Sequence, residues 1–385
     1  MSSFSNEVLG KYVSSINRFK SELEKPFIGR GEEALVITLA LMTSEHVVLI
    51  GEPGTAKSAL ARRAADLLRA RFFKYLLTKY TEPDELFGSL DILAFKVGKY
   101  VRVTKNKLPE AEIAFLDEIF NASSAILNTL LTLLNERVIY DGYNEISVPL
   151  WTLISASNTV PEEQEYQALY DRFLFRQFVK PVSEDKWLQL VEASWKIEKE
   201  GYRAPQPVLS MEDLKYINSI ILSIDVSKVK HTLIKMYAVL EDQGIHLTDR
   251  RKGKVLKTIA AHALLNGRTT AVEEDLAVLK YVAPSTKEEA EKVYIILLEE
   301  LGTRERLMSE LQEIEDNLRE VKALLLKTKD FDPRLVEYLR GLEKARERIN
   351  RIIESTTDDN IRARSQDILA ELTEVIDEVR RRLLV

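Results

Sequence analysis

The chain has 385 residues, 45% of them hydrophobic and 30% charged, which excludes disorder and fibrous repeats and leaves room for two or three packed cores. Its 55 Lys and Arg against 61 Asp and Glu give a formal charge of −6, so a strongly basic nucleic-acid surface is not expected. Cysteine is absent and the four histidines (His46, His231, His246 and His262) are scattered, which excludes disulfides, thiolate chemistry and a histidine metal cluster.

The first 20 residues lack the apolar stretch and small-residue cleavage site of a secretion signal, and no apolar run approaches the ~18 residues of a membrane span. The expectation is a cytoplasmic protein without membrane insertion. Residues 1–184 alternate β-rich runs with helical patterns, the signature of an α/β domain with a largely parallel sheet. Strands are predicted over His46–Ile50, Phe72–Thr78, Glu112–Leu116, Trp151–Ser155 and Phe173–Val179, with helices starting near Lys57 and Ser123. Two hairpins are predicted to project from this core. One spans about 89–105 and turns at Val97-Gly98-Lys99; the other spans about 138–148 and turns at Asp141-Gly142.

Residues 185–284 read as all-α, with helical periodicity over Lys186–Glu200, Met211–Leu222, Val229–Glu241, Arg250–Leu265 and Ala271–Tyr281. In residues 285–385 the pattern changes again: 36 of the last 85 residues are charged, and the apolar ones fall at heptad steps. Leu307, Leu311, Ile314, Leu318, Val321 and Leu325 form one series, and Ile368, Leu372, Val375 and Val379 another. Breaks at Asp332-Pro333 and Thr356–Asp359 divide the region into three helices, predicted to form an antiparallel bundle.

The segment richest in chemistry is His46-Val-Val-Leu-Ile-Gly51-Glu52-Pro53-Gly54-Thr55-Ala56-Lys57-Ser58. A buried strand running into a Gly-containing loop that opens a helix points backbone N–H groups and a helix N-terminus at an anion. In such a triphosphate cradle Lys57 reaches the β- and γ-phosphates and the Ser58 hydroxyl holds Mg²⁺. Ala56 departs from the usual pattern, which has glycine before the lysine. About 60 residues on, Glu112-Ile-Ala-Phe-Leu-Asp117-Glu118 reads as a core strand delivering two acids to its carboxyl edge. Asp117 is expected to orient Mg²⁺ through its water shell, and Glu118 to polarise an attacking water.

With these motifs the chain resembles the MoxR family of AAA+ ATPases, RavA branch, over about residues 27–284. The resemblance is carried by Phe27-Ile28-Gly29-Arg30, Gly51–Ser58, Thr81–Gly88, Leu108–Glu118, Ala125–Leu131, Ser155–Asn158 and Leu169–Phe173. It implies an α/β P-loop AAA+ core with an all-α lid, ATP and Mg²⁺ as cofactors, and hydrolysis at subunit interfaces of a homo-oligomeric, hexameric ring. Asn158 matches the sensor 1 position. Arg172 in Asp-Arg-Phe matches the arginine finger supplied to a neighbour, with Arg176 and Arg137 as competitors. Arg250 matches the sensor 2 arginine, with Arg251 as second choice. Ile28, Gly29 and Leu35 are expected on the adenine side.

The two hairpins correspond to the helix-2 and pre-sensor 1 insertions of the clade. The resemblance further implies a chaperone-like remodelling motor that works with a von Willebrand factor A domain protein and a protein client. The RavA branch carries a β-rich module between C-terminal helices, and no such stretch occurs between Leu301 and Val385. Two alternatives belong to other classes: an ATP-gated scaffold with little turnover, and a DNA-dependent motor, which the acidic balance disfavours.

Overall fold

The structure is a computed structural model that describes residues 6–141, 144–201, 204–327, 334–355 and 359–383. Gly142 of the predicted turn and the predicted breaks at Asp332-Pro333 and Thr356–Asp358 lie outside the described residues. The chain divides into two compact units, residues 1–294 and 295–385.

Unit 1 begins with two helices that the sequence reading did not place, α1 (Asn6–Glu24) and α2 (Gly31–Thr43). α2 is apolar nearly all round, and Ala34, Val36, Ile37 and Leu39–Met42 are buried, as expected of a helix enclosed by the core. There follow β1 (Val47–Ile50), α3 (Lys57–Leu68), β2 (Phe72–Leu76), α4 (Pro83–Phe87), α5 (Ile92–Lys96) and β3 (Ile113–Asp117). Next come α6 (Ser124–Glu136), β4 (Val138–Asp141), β5 (Asn144–Ser147), β6 (Thr152–Ser157), α7 (Gln164–Tyr170) and β7 (Phe175–Phe178).

Strands β2-β3-β6-β1-β7 form one five-stranded sheet in that order, every pairing parallel. The central β1 and β6 are buried at every position; β1 accordingly reads as a continuous apolar run, and β6 keeps small Thr and Ser among its apolar residues. Register fixes what the sheet presents. Ile50 pairs with Ser157 and Phe178, and Asp117 with Leu76, so β1, β3, β6 and β7 end at one carboxyl edge.

β4 and β5 form a separate antiparallel pair, Asp141 opposite Asn144. The predicted 89–105 hairpin is corrected. Its base is antiparallel, with the Leu90–Arg102 bridge and bonds Asp91 N–H to Val101 O and Val103 N–H to Ser89 O, but its middle is helix α5. Asp91 accepts the N–H groups of Leu93 and Ala94, and this cap turns an apparent alternation into a helical turn.

The all-α segment contains α8 (Trp187–Glu200), α9 (Met211–Ile221), α10 (Lys230–Asp242), α11 (Asp249–Leu265) and α12 (Leu279–Val282). The helix predicted over Ala271–Tyr281 is instead a 3₁₀ turn, Glu273–Val278, followed by α12. Buried Asp275 accepts from Val272 N–H, His262 and Arg268, which tightens that turn. α13 (Lys287–Glu300) carries the division between units, beyond the Pro284 boundary read from the sequence. Its start is tied to the core: Tyr170 Oη donates to Ser285 O at 2.7 Å, and Ser285 N–H to Glu289 Oε2 at 2.6 Å.

Unit 2 holds α14 (Gly302–Lys327), α15 (Arg334–Ser355) and α16 (Asp359–Leu383). Their buried stripe contains Leu311, Ile314, Leu318 and Val321 against Ile368, Leu372, Val375 and Val379, with Leu342 and Ile349 from α15. Arg348 meets Glu310, and Arg364 meets Glu315, so the charge of this region lies on helix faces flanking that stripe. No helix among the described residues is long and apolar enough to cross a membrane.

Candidate functional site

The carboxyl edge of the sheet gathers the loop after β1, the acids after β3 and the amide after β6. Gly51 leaves β1 and donates its N–H to Ser157 O at 3.0 Å. A Cβ on Gly51 would lie 2.4 Å from Val179 O, so glycine is required by close approach of backbone. Lys57 Nζ turns back into the loop and donates to Gly51 O at 2.5 Å and Glu52 O at 2.8 Å. Burial pulls its pKa down, against the opposing charges of Asp117 and Glu118. Thr55 Oγ1 donates to Glu52 O at 2.8 Å, pinning the tip of the loop over Pro53 and Gly54. Ser58 is the second residue of α3 and half-buried.

Ala56 caps α3 in the left-handed region, φ 64° and ψ 15°. For an alanine this costs about 1 kcal/mol, the strain a glycine would avoid. Glu118 is also left-handed, φ 52° and ψ 49°, where β3 breaks into a 3₁₀ turn. The break lets Glu118 turn out of the strand direction, and its Oε1 accepts from Asn158 Nδ2 at 2.6 Å. Burial raises the Glu118 pKa, the adjacent Asp117 raises it further, and Lys57 opposes both. Lys57, Asp117, Glu118 and Asn158 thus stand together, as β1, β3 and β6 in register require.

The arginines sort differently. Asp171 accepts Arg250 Nη1 at 3.0 Å and Thr248 Oγ1 at 2.8 Å, and Thr248 also caps α11. Arg172, half-buried, donates to Ala168 O at 3.3 Å, and its buried Nε has no partner. Burial and the neighbouring Arg250 charge lower its pKa. Arg172 and Arg250 therefore gather around Asp171.

Arg176 is sealed inside. It donates to Ser285 Oγ at 2.8 Å and Tyr170 O at 3.1 Å, with its guanidinium 3.8 Å from the centre of the Tyr170 ring. Arg251 is buried as well, donating to Ala283 O at 2.8 Å and to Val282 O, and burial lowers its pKa to about 9. Arg137 donates to Ser44 O and Trp151 O, each at 3.1 Å, and lies against His46. Arg176 is buried and Arg137 half-buried, and each spends its guanidinium on partners within its own chain.

Two cavities flank the loop. One of about 590 Å³ opens beside Gly51 and Asn158 and is walled by Tyr170, Val179 and Ser285. The other, about 520 Å³, runs from Glu52–Ala56 to Phe27, Ile28 and Arg30 and is closed by Trp187, Leu190 and Ile197 of α8. Of the residues expected on the adenine side, Ile28 lines this cavity, whereas Gly29 and Leu35 are not on its wall. The α8 residues were missed. Their one sequence signal is an apolar stripe at spacing 3 and 7, which any packed helix shows.

A family model described as the "MoxR domain in the MoxR-vWA-beta-propeller ternary systems" matches residues 14–219, and an AAA lid domain model matches residues 224–297. An uncharacterized protein of Methanocaldococcus jannaschii is 38% identical over 312 residues, 80% of this chain and 82% of that protein. Chaperone MoxR1 of Mycobacterium tuberculosis is 22% identical over 289 residues, 70% of this chain and 74% of its own. A crystal structure of a candidate ATPase from Cytophaga hutchinsonii superposes with a TM-score of 0.63 at 18% identity, covering 75% of this chain and 96% of that one, a likeness of fold.

Proposed function

This chain belongs to the MoxR family of AAA+ ATPases, and from that premise we propose that it is a cytoplasmic Mg²⁺-dependent ATPase that hydrolyses ATP at the interfaces of a hexameric ring and remodels a protein partner. Support comes above all from one convergence: Lys57, Asp117, Glu118 and Asn158 meet at a single sheet edge, with Asn158 bonded to Glu118 at 2.6 Å. ATP would lay its phosphates on residues 51–58, with Lys57 exchanging loop carbonyls for phosphate oxygens.

Mg²⁺ takes a few hard oxygen ligands from protein and the rest from phosphate and water. The Ser58 hydroxyl at the start of α3 and the Asp117 carboxylate at the end of β3 are donors of that type and would hold it. The bound ion would neutralise charge on the β- and γ-phosphates. Glu118 takes the proton of a water whose oxygen attacks the γ-phosphorus as the bond to the β-phosphate oxygen breaks and ADP leaves. Burial and the adjacent Asp117 charge raise its pKa, which makes it a better proton acceptor than an ordinary carboxylate, and Asn158 holds its carboxylate toward that water.

Arg172 is the finger offered to the next subunit, since Arg176, Arg251 and Arg137 are spent within their own. Arg250 acts as the lid's sensor through Asp171. The remodelling reading draws on the name of the chaperone relative and on α5, whose Ile92, Leu93 and Phe95 are exposed as a contact surface for a client. A von Willebrand factor A domain partner is proposed from the description of the matching family model. The RavA-like character rests on the motifs from Phe27 to Phe173.

Glu118→Gln tests the reading. Steady-state ATP turnover should fall by about 100-fold or more while ATP binding persists. Unchanged turnover would sink the assignment, and partner function that survives without turnover would point to an ATP-gated scaffold.

A further inference from the structure

We propose that Ser157 is a positioning residue for hydrolysis: its buried hydroxyl fixes the backbone turn from which Asn158 reaches Glu118. This rests on the hydrolytic reading above and deepens it. Ser157 is the last residue of β6 and is 4% exposed. On one side β1 holds it, since it pairs with Ile50 and its carbonyl accepts Gly51 N–H at 3.0 Å. On the other side the ladder has already ended. β3 pairs with β6 only as far as Leu116 opposite Ser155, because the chain leaves β3 through the left-handed Glu118. β6 therefore runs past that neighbour, and residues 157–159 take none of their order from β3.

The Ser157 side chain supplies what the ladder does not. Its Oγ donates to Thr159 O at 2.7 Å and accepts Thr159 N–H at 3.3 Å, so one hydroxyl holds both backbone groups of the residue after Asn158. Such a serine turn is ordinary in loops, and its place is what gives it a part in the chemistry. Asn158 stands between the two bonded residues, is itself exposed, and donates Nδ2 to Glu118 Oε1 at 2.6 Å. An exposed amide has little packing to aim it, so it inherits its direction from the backbone on either side. With the Ser157 carbonyl tied to the phosphate loop and its hydroxyl to Thr159, the amide is fixed relative to Gly51 and Glu118 together.

The test is steady-state ATP turnover of the full chain carrying Ser157→Ala, Asn158→Ala or both, with Glu118→Gln as the reference. Ser157→Ala should lower kcat by about tenfold and leave the KM for ATP within about twofold. The phosphate loop keeps its bond to the Ser157 carbonyl, and only the aim of Asn158 is lost. In the Asn158→Ala background the same substitution should cost nothing further, as a residue that acts through Asn158 requires. Loss of the donated bond also disfavours the Glu118 carboxylate, while Asp117 and Lys57, the charged groups that face it, are unchanged. The acidic limb of kcat should therefore move to higher pH in Ser157→Ala, by about half a unit to one unit. An unchanged circular dichroism spectrum checks that the small substitution leaves the fold intact.

The proposal is overturned if Ser157→Ala holds kcat within about twofold of the parent, or raises KM alone. It is overturned equally if the substitution costs as much in the Asn158→Ala background as in the parent. With Glu118→Gln abolishing turnover in the same assay, those results leave the hydrolytic reading standing. Unchanged turnover in Glu118→Gln removes that reading, and the role of Ser157 goes with it.

Discussion

The two ends of the five-stranded sheet hold charge in opposite ways. At the carboxyl ends of β1, β3 and β6, Asp117 and Glu118 are half-exposed, Asn158 is exposed, and Ala56 and Glu118 occupy left-handed backbone. At the amino ends of β1 and β6, polar side chains are bonded inward to protein partners. His46 is buried, accepting Leu153 N–H at 3.0 Å, and Arg137 closes the end of α6 onto Ser44 and Trp151. Burial lowers the Arg137 pKa to about 10, yet its carbonyl partners keep it charged at neutral pH. The first edge retains groups whose interactions a ligand can take over; the second uses the same residue types as internal staples.

The largest effect that separates the edges should come from Lys57→Ala. ATP affinity is expected to drop by about 100-fold with the urea midpoint little changed, because a phosphate contact is lost and no core is opened. Arg137→Ala should do the reverse. It removes the guanidinium bonds to the Ser44 and Trp151 carbonyls, the latter keeping only Ser44 Oγ, and should cost about 2 kcal/mol of stability, read from urea unfolding. If Arg137→Ala instead spared stability and abolished turnover, the division between the edges would collapse.

A pH series sharpens the contrast further. His46 is held neutral by burial and by Arg137, its pKa well below the ordinary value. The unfolded chain binds a proton below about pH 6.5 that the folded chain refuses, so this contribution is present above that pH and is lost as pH falls toward the folded pKa. The slope should reach about 1.4 kcal/mol per pH unit and flatten in His46→Gln, as seen in unfolding midpoints at successive pH values. Glu118 shifts the opposite way: the acidic limb of turnover should lie above the ordinary carboxylate range of about pH 4.3. The smallest effect is expected from Ala56→Gly. Relief of left-handed strain is offset by the freer unfolded chain, so stability should change by less than about 1 kcal/mol.

Much of the carboxyl edge of the sheet was legible because its residues are contiguous. A phosphate loop needs strand, turn and helix N-terminus in immediate succession, and the two acids sit together at the end of one apolar run. The bundle of α14–α16 was legible for the same kind of reason, since heptad spacing is local. The helix α5 was misread because Ile92 and Ala94 fit both an alternating strand and a helical turn, and the deciding bond comes from the Asp91 side chain. The arginines could be ranked only by resemblance, Arg172 ahead of Arg176 and Arg137, and Arg250 ahead of Arg251. Arg137, Arg172, Arg176, Arg250 and Arg251 are one residue type, and what distinguishes them is whether Ser285, Tyr170, Asp171 or a strand end lies opposite.

By itself the sequence determined the α/β class, the order of the strands along the chain, the loop 51–58, the paired acids and the three-helix repeat, because each is written in neighbouring residues. Only the tertiary structure decided which arginines are buried, that β6 lies between β1 and β3 so that Asn158 reaches Glu118, and that α8 faces the phosphate loop. Those depend on register and burial between segments as many as 140 residues apart in the chain, and local pattern carries no record of them.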